Sequence, residues 1–75
     1  MEIRKIAIGP DYKGGAMHYL AGQKVLDSTH ELHLIKFSEL KKSYELYVIN
    51  DKKEVFLWKE INSTMPIVVE YNINF

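Results

Sequence analysis

The segment Gly9-Pro10-Asp11-Tyr12-Lys13-Gly14-Gly15-Ala16-Met17-His18-Tyr19 holds the side chains best suited to chemistry. Three of the chain's four glycines fall within seven residues there, beside an acid, a base, two tyrosines and a histidine. Glycines permit positive φ and close approach of a backbone, and consecutive N–H groups in such a turn can cradle an anion. Lys13 supplies a point charge suited to a phosphate, and Tyr12 or Tyr19 a ring on which a base can stack. Asp11, Tyr12, Lys13, Gly14, Gly15, His18 and Tyr19 are therefore the candidate ligand-binding residues. A small phosphorylated, nucleotide-like molecule is the ligand class they suit. The plain alternative is a strand connection whose glycines only make the turn. The Walker A spacing and its helix are missing, which excludes a P-loop.

Other chemistries find less support. His30 and His33 are three apart, a spacing that sends them to opposite faces of a strand. With no cysteine and no paired carboxylates at ligand spacing, no metal or other cofactor is expected. Ser28, Ser38, Ser43 and Ser63 sit in turn-like contexts, none of them a nucleophile elbow. His18 can be written as a general base oriented by Asp11, but only nearness in sequence joins the two. A non-enzymatic protein is the expectation.

A chain of 75 residues makes one domain, spanning 1–75. A domain this small buries only about 60% of its unfolded surface, so it usually needs disulfides, a metal or association. The chain has no cysteine and 47% hydrophobic residues, which leaves association into a homo-oligomer as the expected compensation. Ten basic residues balance ten acidic ones, so the basic footprint of a duplex nucleic-acid binder is missing. Neither the apolar run of a signal peptide nor the ~20 apolar residues of a membrane span is present, and a cytoplasmic protein without a membrane partner is expected. Asn62-Ser63-Thr64 matches the N-glycosylation pattern and reads as a turn.

The elements that must position the loop have the two-residue period of strands. Ile67, Val69, Tyr71, Ile73 and Phe75 alternate with Val68, Glu70, Asn72 and Asn74, after Pro66 at the strand's start. This strand is the expected participant in association. Tyr44–Ile49 and Val55–Lys59 flank Asn50-Asp51-Lys52-Lys53-Glu54, a polar hairpin turn. Glu2–Ile8 forms a strand ended by Gly9-Pro10. Leu32, Leu34 and Lys36 alternate with His33, Ile35 and Phe37 in another, preceded by a turn at Asp27-Ser28-Thr29. Met17–Leu26 reads as a strand hairpinned onto Glu31–Phe37, with a short helix interrupted by Gly22 as the other reading. Ser38–Lys42 reads as one helical turn or an exposed loop. The fold class is mostly β: a five- to six-stranded antiparallel meander, either a curled sheet or a small barrel.

Tyr44, Tyr47, Phe56 and Trp58 gather in one hairpin and normally pack in a core. If Tyr44, Leu46 and Val48 fill that core, Tyr47 faces outward with Phe56 and Trp58 as an aromatic contact strip.

Ile6-Ala7-Ile8-Gly9-Pro10-Asp11-Tyr12-Lys13, Met17-His18-Tyr19, Gly22-Gln23, Phe56-Leu57-Trp58-Lys59 and Met65-Pro66-Ile67-Val68-Val69-Glu70-Tyr71-Asn72 together resemble a group of small proteins encoded by tailed bacteriophages. The resemblance covers much of the chain and carries over no catalytic residue. It implies an accessory protein acting stoichiometrically, by inhibition or sequestration, on host components or small signalling molecules in the bacterial cytoplasm. The leading expectation is thus a homo-oligomeric binding protein that sequesters a small phosphorylated ligand. The alternative is a module that inhibits a host enzyme through an exposed β edge or the aromatic strip. Single-stranded nucleic-acid binding on a small barrel is disfavoured by the neutral charge.

Overall fold

Short apolar–polar alternations punctuated by Gly, Pro and Asn build seven strands in the computed structural model, which describes residues 2–9 and 17–72. They are β1 (Ile3–Ile8), β2 (Met17–Leu20), β3 (Lys24–Val25), β4 (His30–Ser38), β5 (Ser43–Ile49), β6 (Val55–Asn62) and β7 (Ile67–Tyr71). All pairings are antiparallel. One sheet has the order β2-β1-β7 and the other, curled into a half-barrel, the order β3-β4-β5-β6. The mostly-β, curled-sheet architecture is the expected one. Among the described residues there is no helix, and none is long and apolar enough to cross a membrane.

Two features of the expected topology need correction. Seven strands form where five to six were expected, and they do not form a simple meander, because β7 returns to pair with β1, with Ile6 opposite Val69 and Ile8 opposite Ile67. Those apolar pairs put the same alternation of both strands on one buried face. Met17–Leu26 is also not one strand hairpinned onto β4. Met17–Leu20 pairs with β1, and only Lys24–Val25 pairs with β4. The break falls at Gly22, whose φ of 95° suits glycine. Around it the backbone passes from one sheet to the other: Ala21 N–H donates to the Arg4 carbonyl, and Gly22 N–H to that of Leu32. Of Ser38–Lys42, Ser38 ends β4 and Glu39–Lys42 form a turn, not a helical one, with Lys42 at a φ of 54°.

The core lies between the two sheets. Ile3, Ile6, Tyr19, Val25, Leu32, Ile35, Leu46, Val48 and Ile61 are buried together, with Ile8, Tyr44, Trp58, Ile67 and Val69 packed against them. Strict alternation does not predict this set, because bulges intervene. In β4 the register shifts between Leu32 and Leu34, so Leu32 and Ile35 both face inward and Leu34 turns outward. In β6, Leu46 opposes Lys59 while Tyr47 opposes Leu57, leaving Trp58 as the extra residue.

The Asn50 turn is the expected hairpin, held by its leading side chain. Asn50 Oδ1 accepts from the N–H groups of Lys52 and Glu54 at 2.9 Å each. Asn50→Ala leaves both donors without that acceptor and is expected to cost about 1–2 kcal/mol. A urea denaturation curve checks this, with a lower midpoint and an unchanged slope as the expected result.

Candidate functional site

The glycine-rich connection leaves β1 at Gly9 and re-enters the sheet at Met17, which opposes Ile8. Its stem is therefore the three-stranded sheet. Gly9 has a φ of 134°, and its N–H donates to the Pro66 carbonyl at 3.1 Å, which ties the start of the connection to the approach of β7. Asp11, Tyr12, Lys13, Gly14 and Gly15 lie outside the described residues. The C-terminal participants in the expected association, Ile73 and Phe75, do too.

The remaining two candidates separate. His18 opposes Ala7 on the outer face of the three-stranded sheet and is exposed. Tyr19 opposes Ile6, points into the core and is only 7% exposed. Adjacent residues of a strand face opposite ways, so the two side chains do not converge on one ligand from their strand positions. Tyr19 is also already in contact with protein: its ring meets Trp58 edge-on at 5.8 Å, and its hydroxyl points to Met17 Sδ at 3.9 Å.

Sequence reasoning missed Lys59. Its Nζ lies 5.0 Å from the centre of the Trp58 ring and 5.8 Å from that of Tyr19. An ammonium over aromatic faces is attracted by the ring quadrupoles. Among the described residues no carboxylate is within ion-pair distance of it. The β6 bulge creates this cluster by making Trp58 the extra residue beside Lys59. Alternation alone could not reveal it. The only available signal was a lysine directly after the apolar run Val55–Trp58.

The aromatic strip expected from Tyr47, Phe56 and Trp58 does not form. Phe56 opposes the buried Val48 and sits 6.0 Å, ring to ring, from His30, while Trp58 packs against the core. The bulge shifts the facing of the strand, and Leu57 is the residue that opposes Tyr47. The outward face of β4-β5-β6 consequently carries Leu34, Tyr47 and Leu57 in one cross-strand row, with Glu31, Ile49 and Val55 in the row beside it. Val55 is 47% and Leu57 43% exposed. On the other side runs a charged row of Lys36, Glu45 and Glu60. Lys41 reaches this row from the β4–β5 turn, 2.9 Å from Glu60 and 3.5 Å from Glu45. The hydrogen bond and charge of Glu60, then those of Glu45, hold the Lys41 ammonium above its ordinary pKa.

His30 and His33 are separated as well. His30 opposes Val25, and His33 falls in the β4 bulge and is exposed. Among the described residues, no three metal-ligating side chains come together. Clefts indent the surface among the described residues. One of about 260 Å³ is lined by Lys24, Ser28, His30, Glu31, Asp51 and Lys53, and another of about 340 Å³ by Ile3, Leu34, Phe37 and Tyr71 among others. The first is smaller than the roughly 300–1,000 Å³ of small-molecule pockets and mixes both signs of charge; the second is at the lower limit.

No family model matches the chain, and no curated protein or solved structure matches it either.

Proposed function

We propose that the chain is a non-enzymatic binding protein that sequesters a small phosphorylated, nucleotide-like ligand at the β1–β2 connection. On this reading it acts as a homo-oligomer and an accessory protein of phage type in the bacterial cytoplasm. The observation that carries the reading is the Lys59 ammonium over Trp58 and Tyr19, with no carboxylate partner among the described residues. Tyr19 lies on the strand that receives the glycine-rich connection, so this cation stands beside the stem of the loop that carries Lys13. Two lysines and a run of glycine N–H groups suit a phosphate. The aromatic rings attract the Lys59 ammonium and fix its position.

Inhibition of a host enzyme by strand addition has less support. Among the described residues β6 is an edge strand, and it carries a bulge at Trp58 and a lysine directly after it. Both features are devices by which edge strands resist pairing with another chain.

A thermal-shift comparison tests the proposal. Nucleoside mono-, di- and triphosphates and cyclic nucleotides are added to wild-type protein and to Lys59→Ala. A ligand that binds only the folded state raises the melting temperature, by an amount set by its concentration relative to Kd. At least one nucleotide is expected to raise it in the wild type, with a clearly smaller rise in Lys59→Ala. An equal rise in both proteins removes Lys59 from the site, and no rise with any nucleotide removes the ligand class.

A further inference from the structure

Water-exposed apolar side chains in adjacent cross-strand rows are suited to burial against another surface. The outward face of β4-β5-β6 has Leu34, Tyr47 and Leu57 in its central row, and next to it Ile49 and Val55 with Glu31 as the β4 member of their row. Nothing else in the described chain covers this face, since the three-stranded sheet packs on the opposite, inward side.

We propose that this face is a homodimer interface, in which two copies pack their four-stranded sheets face to face about a two-fold axis parallel to β5. A two-fold interface must be self-complementary, and the central row of this face is. The axis lays β4 of one copy over β6 of the other. The central row, Leu34–Tyr47–Leu57, reads leucine–tyrosine–leucine in both directions, so each leucine covers a leucine and the tyrosines meet at the centre. In the charged row the same operation lays Lys36 over Glu60 of the second copy, and Glu60 over its Lys36. Lys36 has no carboxylate within ion-pair distance among the described residues, so it is available for that contact. Glu45, on the middle strand, meets Glu45 of the second copy at the axis, each with its own Lys41 at 3.5 Å. With Glu31 and its neighbour Lys24 counted, Lys24, Lys36 and Lys41 balance Glu31, Glu45 and Glu60 across the outward face.

The size of the face sets the strength. Three strands and three rows span about 15 Å by about 20 Å, which is small beside the ~800 Å² per partner of a standard interface. The dimer is accordingly a weak one, assembling at micromolar concentration. A different protein partner would have no need of a central row that matches itself under rotation with Lys36 laid over Glu60, and this favours the second copy.

Sedimentation equilibrium of the full chain across a dilution series reads the association. Wild-type protein is expected to move from twice the 8.8 kDa chain mass towards 8.8 kDa as it is diluted through the micromolar range. Leu57→Arg, at a position exposed in the single chain, should keep the wild-type circular dichroism spectrum and raise the dimer dissociation constant by about thirtyfold or more. Lys36→Glu and Glu60→Lys should each weaken the dimer about tenfold, and the two together in one chain should restore it. A wild-type mass of 8.8 kDa at every concentration overturns the proposal. So does a dimer that Leu57→Arg leaves intact. Charge reversals that are no better combined than separate overturn the two-fold arrangement.

Discussion

Leu46→Ala is expected to remove most of the stability of the domain. Leu46 is wholly buried at the centre of the four-stranded sheet, between Ile35 of β4 and Lys59 of β6, and its side chain reaches the layer shared with Ile6 and Leu32. Truncating a buried leucine costs about 2–5 kcal/mol, the lost transfer energy plus the cavity left behind. At about 0.05–0.15 kcal/mol per residue, 75 residues hold only about 4–11 kcal/mol in total. The variant should therefore be largely unfolded or lose half or more of its urea midpoint. Leu40→Ala is the matched control: Leu40 is 93% exposed in the β4–β5 turn, and its loss should change stability by no more than about 0.5 kcal/mol. Equal effects from the two leucines would show that the core is placed wrongly.

The second large effect is on binding. If Lys13 makes a charge-assisted bond to a phosphate, Lys13→Ala removes about 1.5–3 kcal/mol, a loss of affinity of about ten- to a hundredfold. Tyr12→Ala should lose the stacking contribution of about 1–3 kcal/mol. Both residues stand in the connection between β1 and β2, and neither substitution should move the melting temperature of the ligand-free protein by much. Affinity by titration and melting temperature by calorimetry are read on the same samples. Binding equal to wild type in both variants would reduce the segment to a turn between strands, and unfolding of both would make its role structural.

Those two predictions draw on parts of the molecule that were unequally legible. The strands were legible where alternation is strict, as in Ile67, Val69 and Tyr71, and the Asn50 turn was legible because Asn places its own acceptor against the N–H groups of Lys52 and Glu54. Alternation cannot encode a bulge. One extra residue at His33 and another at Trp58 reverse the facing of the rest of each strand, and Leu57 replaced Trp58 beside Tyr47 as a result. Pairing partners distant in the chain were equally hidden, since β7 could have met β6 by the same pattern that brings it to β1. For the site, the residue types identified the segment but not the facing of its ends. His18 and Tyr19 part company because the stem continues as regular β-strand through both. Lys59 comes from β6, distant in sequence, and only the packing of Trp58 against Tyr19 brings it beside the loop's stem.

The measurement that bears most directly on the central claim is an isothermal titration of wild-type protein with a nucleotide and, in parallel, with the corresponding nucleoside. The two ligands share base and sugar and differ in the phosphate that Lys13, Lys59 and the glycine N–H groups are proposed to hold. The account predicts saturable binding of the nucleotide at a fixed stoichiometry, and binding of the nucleoside weaker by about tenfold or more. Equal affinity for both, or heat of dilution alone from every nucleotide, would contradict it.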